Sequence, residues 1–139
     1  MTLAHQLVII TRENREENLW LDMDRVFISD LLFCYMKDSL MWIDTRWNGK
    51  KVSSGFLEGG FSVVDRKEIE KFRSIMEQWR RLFTFSPEEF YLTGECGVKK
   101  QIPECILVRK KEVLEELSSC IRLCGKAIEK GAKLLYSEI

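Results

Sequence analysis

The chain has a single histidine, His5, so any Ser-His or Cys-His machinery would have to be built on that imidazole. His5 lies between Ala4 and Gln6 and shares one side of an extended segment with Leu7 and Ile9, the setting of a structural histidine. The five cysteines (Cys34, Cys96, Cys105, Cys120 and Cys124) are odd in number and scattered, as reduced thiols packed like small apolar groups would be. Zinc is the competing reading, prompted by Cys120-x3-Cys124 and the pair Cys96 and Cys105. Structural zinc sites prefer C-x2-C on turns, whereas Cys120 and Cys124 stand one helical turn apart. Asp22-x-Asp24 puts two carboxylates on one face of a strand, about 7 Å apart. They could hold a cation, but no third ligand is identifiable. Gly55 to Gly60 matches neither G-x-G-x-x-G nor G-x4-G-K-[ST], and no lysine follows in position to reach a phosphate. No catalytic residue, metal or cofactor is expected.

The tryptophans offer a different chemistry, that of recognition. Trp47 and Trp79 fit apolar faces, but Trp20 falls on a strand face with Asp22 and Asp24, and Trp42 on one with Asp44. Aromatic anchors rimmed by carboxylates suit a surface that docks a basic protein. Trp20, Asp22, Asp24, Trp42 and Asp44 are therefore the candidate protein-binding residues. The alternative is that a helix covers this face and buries the indoles; the pattern leaves both open.

The elements that must position these residues change character midway. Residues 3–11 read as a strand with two apolar faces, Arg12 to Asn18 as a loop, and 19–24 as a second strand. Val26 to Met36, rich in aromatic and β-branched residues, is ambiguous between strand and short helix and is assigned to strand. Asn48-Gly49 supplies the two positive-φ positions of a type I′ turn. A two-residue hairpin there opposes Trp47 to Lys50, Thr45 to Val52 and Met41 to Phe56, gathering Met41, Ile43, Trp47, Val52 and Phe56 on a core face. It also lays Trp42 across Gly55. Gly59-Gly60 breaks the sheet. Asp65 and Glu68 form a capping box for an amphipathic helix over about 66–83. Ser86-Pro87-Glu88-Glu89 starts a further helical turn, and Phe90 to Thr93 and Cys105 to Val108 add short strands. An apolar stripe from Lys110 onward predicts a long helix over about 110–136. The fold class is therefore α+β: an antiparallel sheet from the N-terminal half packed by two main helices.

At 139 residues the chain is one globular domain, 1–139. Lys plus Arg equals Asp plus Glu, at 22 each, so no net field announces a nucleic acid or a membrane. The basic clusters (Arg66-Lys67, Arg80-Arg81, Lys99-Lys100 and Arg109-Lys110-Lys111) form no recognisable nucleic-acid module. Leu7 to Ile10 is too short an apolar run for a signal peptide, and nothing is long enough to span a bilayer. A soluble, cytoplasmic protein is expected.

The apolar opening strand, the Trp-rich section and Gly59-Gly60-Phe61-Ser62 leading into an amphipathic helix, followed by Phe85-Ser86-Pro87-Glu88-Glu89-Phe90-Tyr91-Leu92-Thr93, resemble small bacterial immunity proteins. These neutralise polymorphic or contact-dependent inhibition toxins. The resemblance covers residues 40–93 and carries no catalytic residues. It implies a non-catalytic inhibitor that binds a cognate toxin domain, often a nuclease. Two other expectations stand beside it: a small enzyme with a carboxylate- or thiol-based pocket, and a weak nucleic-acid binder using the C-terminal basic side chains.

Overall fold

A computed structural model describes residues 4–11, 24–93 and 105–139. The expected loop at 12–18 and the expected strand at 19–24 lie outside these residues, except for Asp24. Strands β1 (Ala4–Ile10), β2 (Arg25–Ser29), β3 (Asp44–Trp47), β4 (Lys51–Ser54), β5 (Phe61–Val64) and β8 (Lys133–Glu138) build one antiparallel sheet in the order β2-β1-β8-β5-β3-β4. Strands β6 (Glu89–Thr93) and β7 (Cys105–Arg109) form a separate two-stranded ribbon. Helices α1 (Asp30–Leu40), α2 (Arg66–Phe83) and α3 (Lys110–Lys130) complete the α+β fold.

One sheet face makes the core. His5 pairs with Ile28 and Glu138, Leu7 with Tyr136, Ile9 with Leu134, and Leu134 with Val64. These positions share a side, and all of their side chains except Glu138 are buried. Met36 and Leu40 of α1, Ile69, Phe72 and Met76 of α2, and Leu117, Cys120 and Cys124 of α3 close over them. The other face carries Val8, Leu135 and Val63, with Phe27, Phe61 and Val52 exposed.

The segment Val26 to Met36 is not one strand. Ser29 ends β2 and caps α1, its hydroxyl accepting the Leu32 N–H at 3.4 Å, with Asp30 in the first turn. A Ser-Asp cap thus overrides the β-propensity of Phe33 and Tyr35. The Asn48-Gly49 turn forms as its residues dictate, with φ of 54° and 73°, and the Lys50 N–H donates to the Trp47 carbonyl at 3.1 Å. The ladder, however, pairs Trp47 with Lys51 and Arg46 with Val52, one residue beyond the tight register. Lys50 is accommodated as an extra residue, and the shift changes the facing. Val52 and Met41 are exposed, whereas Thr45 is buried and donates its hydroxyl to the Gly55 carbonyl. Met41, not Trp42, lies against Gly55.

Helix α2 begins and ends where its periodicity places it, but without a capping box. Asp65 makes no side-chain cap; its carboxylate takes the Arg46 Nε–H at 2.9 Å and Lys133 Nζ at 3.3 Å. Glu68 instead accepts the Asp44 N–H at 3.3 Å. Ser86 to Glu89 is bend and strand start, not helix. Helix α3 stops at Lys130, short of the expected 136. Gly131 adopts φ of 60°, the Ala132 N–H reaches the Ala127 carbonyl at 2.8 Å, and the Gly131 N–H reaches Ile128 at 3.1 Å. That left-handed cap turns the chain back into β8, whose alternating Leu134 and Tyr136 enter the core. The sheet therefore draws an interior strand from the C-terminal end as well as strands from the N-terminal half. Among the described residues no helix is long and apolar enough to cross a membrane.

Candidate functional site

The start of α1 and the middle of β8 bring His5 between two partners. Its Nε2 lies 2.7 Å from Asp30 Oδ1 and its Nδ1 lies 2.7 Å from the Tyr136 hydroxyl. An ionised carboxylate only accepts, so Nε2 carries the proton, and Nδ1 accepts from the phenol. The imidazole stacks on Phe33 at 3.7 Å between ring centroids, with 8° between the planes. Cys34, one helical turn after Asp30, donates its thiol to the same Oδ1 at 3.6 Å. Burial, helped by the nearby charges of Glu138, Glu58 and Asp30, pushes the Tyr136 phenol well above its ordinary pKa.

This relay has the Asp-His-hydroxyl order of a nucleophilic triad. Its hydroxyl, though, belongs to a residue 1% exposed, and it is held in the protonated form. Such a phenol is arranged to tie β1, β8 and α1 together and to orient Asp30, rather than to attack a substrate. The relay forms one side of a cleft of about 550 Å³ between α1, the β4–β5 connection and β8. Glu58 and Lys37 face each other there, Nζ to Oε1 3.0 Å, and Glu138 Oε2 accepts the Gly59 N–H at 3.4 Å. A larger depression of about 650 Å³ lies between β2, α3 and the β6–β7 ribbon, but its half-buried acid Glu116 is already committed to Ser29, accepting from N–H at 2.9 Å and Oγ–H at 3.3 Å.

The sequence candidates that fall among the described residues do not all converge. Trp20 and Asp22 lie outside the described residues. Asp24 precedes β2 and is held by Lys126 at 3.4 Å and Lys130 at 3.5 Å, and the Lys126 hydrogen bond keeps its carboxyl below the usual pKa. Asp44 begins β3, with three strands of the sheet between it and β2. Trp42 stands in the turn between α1 and β3, 65% exposed, and no helix among the described residues covers it. Cys120 and Cys124 are buried thiols, and hydrogen bonding between them together with burial raises the Cys120 pKa. Cys96 lies outside the described residues, as does the Cys105 side chain. Among the described residues no three His, Cys, Asp or Glu side chains are placed to hold a metal ion.

Sequence reasoning missed Asp30, Cys34 and Tyr136 as neighbours of His5. Only the Ser29-Asp30 cap was available as a signal. Searches of family descriptions, curated proteins and solved structures found no match to the chain.

Proposed function

We propose that the protein is a non-catalytic binding module, an immunity protein that docks on a toxin domain and neutralises it by complementarity. The supporting observation is Trp42, a large aromatic side chain left 65% in solvent. Met41 is 51% exposed beside it. Tyr35, 43% exposed, lies two helical turns earlier and packs edge-on against Trp79 at 5.6 Å. Trp79 Nε1–H in turn donates to Ser39 at 2.7 Å, tying α2 to the last turn of α1. Asp38 and Asp44 are exposed around it. An aromatic anchor on a rigid support, with carboxylates at the rim, favours a partner with a basic surface. The test is co-expression with a toxin-sized product of an adjacent reading frame. Rescue of growth and a one-to-one complex by sedimentation are expected; a lethal product with neither rescue nor complex would sink the reading.

Asp30 and Cys34, which line the cleft beside His5, favour a second reading, a small enzyme with a carboxylate- or thiol-based site. Turnover of an activated ester that vanishes in His5→Asn while the fold persists would support it. Equal turnover by both chains would end it.

A further inference from the structure

We infer that the outer edge of β2 is a docking edge, which takes up an extended segment of a partner polypeptide as an added strand, with apolar and basic side chains turned into the groove beside it. β2 is the outermost strand of the six-stranded sheet. Its register with β1 decides which way its backbone points. The Ile9 N–H donates to the Asp24 carbonyl at 3.0 Å, so the bonded positions continue at Val26 and Ile28, opposite Leu7 and His5. Arg25, Phe27 and Ser29 therefore turn their N–H and C=O groups away from the sheet. Ser29 follows this alternation: its N–H reaches outward to Glu116 Oε1 at 2.9 Å, and as N-cap its carbonyl enters α1. Two residues remain. Among the described residues nothing meets the outward backbone groups of Arg25 and Phe27, and β2 holds neither the proline nor the lysine that blunts many edge strands.

The surroundings specify the occupant. The open edge borders the depression of about 650 Å³ between β2, α3 and the β6–β7 ribbon. A strand added there gains main-chain hydrogen bonds from the edge and a recess for its alternate side chains. The floor is apolar, from Leu31, Leu92, Val108 and Val113. Glu112 and Glu115, exposed and without an ion pair among the described residues, form the wall together with Glu116. Against Arg25 alone this leaves net negative charge, so inward-pointing residues of both apolar and basic type match floor and wall. Phe27, 46% exposed, offers the other side of the added strand a cross-strand neighbour.

The inference stands apart from the toxin reading, which rests on Trp42, and it is tested with peptides and no toxin. The end-capped peptide Thr-Lys-Thr-Val-Thr-Lys-Thr is titrated into ¹⁵N-labelled protein. Saturable shifts of the Arg25, Phe27 and Val113 amides are expected, with binding roughly tenfold weaker when both lysines are replaced by glutamate. N-methylation separates strand addition from charge attraction. Methylating the threonine nitrogens removes the N–H groups along one side of the extended peptide, and methylating the lysine and valine nitrogens removes those along the other. One set should lose binding roughly tenfold and the other keep it. On the protein, Phe27→Pro removes an outward N–H but no bond to β1, a position where an edge strand tolerates proline. It should abolish binding, whereas Phe27→Ala keeps the N–H and should bind within a few-fold of the wild type. Glu112→Gln and Glu115→Gln, at exposed positions, should each weaken the peptide several-fold. Equal binding of the lysine and glutamate peptides, equal effects of the two methylated sets, unchanged binding by Phe27→Pro, or no saturable response would overturn the inference. So would a dimer by sedimentation that the peptide does not dissociate and that Phe27→Pro does, since the edge would then belong to a second copy of the chain.

Discussion

Tyr136 and His5 satisfy each other in a place where water cannot, so the relay should matter to stability whatever else it does. Tyr136→Phe keeps the ring and the packing but leaves Nδ1 of a buried imidazole unpaired. A loss of about 1–3 kcal/mol in urea denaturation is expected. Glu116 makes the opposite kind of prediction. Burial raises its pKa above 4.5, despite the Ser29 hydrogen bonds that pull it down. The folded state then binds its proton more tightly than the unfolded state, so this group's contribution to stability falls as pH rises from 4.5 through the folded pKa. Comparing urea midpoints of the wild type and Glu116→Gln from pH 4 to 7 should show the wild type losing ground as pH rises. A constant difference would refute that. At this scale the sequence is legible only where the chemistry is local. Asn48-Gly49 announces its own positive φ angles, but His5 meets Asp30 25 residues away and Tyr136 131 residues away, and no spacing rule connects them.

Helices α2 and α3 were readable because their apolar spacing repeats over many turns, whereas the shorter, aromatic-rich α1 reads as strand; the helix ends depend on caps that override the spacing. Gly131 shows the difference. The stripe of α3 continues in phase through Leu134 and Leu135, so periodicity alone extends the helix, while the left-handed φ of one glycine ends it. Gly131→Ala should cost roughly 1–2 kcal/mol by chemical denaturation, because an L-residue is strained at this φ. The added Cβ would also meet the Arg66 guanidinium at 3.3 Å, a flexible neighbour that can yield, so the backbone sets most of the cost. The hairpin gives the complementary lesson. Its turn type follows from two residues, but its register also depends on β5, whose Phe61 carbonyl takes the Asn48 N–H at 2.8 Å. That bond lies outside the hairpin, in a strand the glycine pair had concealed.

Viewed as a molecule, the α+β class was legible because strand-like and helix-like spacing separate along the chain, whereas the strand order was not. Nothing local says that β8 inserts between β1 and β5. Deleting residues 131–139 should therefore abolish cooperative unfolding and amide dispersion, since it splits the sheet rather than trimming an edge. Docking belongs to this scale too. Trp42→Ala should leave stability within about 0.5 kcal/mol of the wild type, as surface changes do. It should weaken a toxin complex by about 2 kcal/mol or more, measured by calorimetry. Asp44→Asn should instead slow association most at low salt. The interior place of β8 has one more consequence, for birth of the protein on the ribosome. At roughly 5–20 residues per second, the segment carrying His5 emerges on the order of ten seconds before the one carrying Tyr136 is made. Throughout that interval a nascent apolar strand waits with an open edge, a natural client for chaperones.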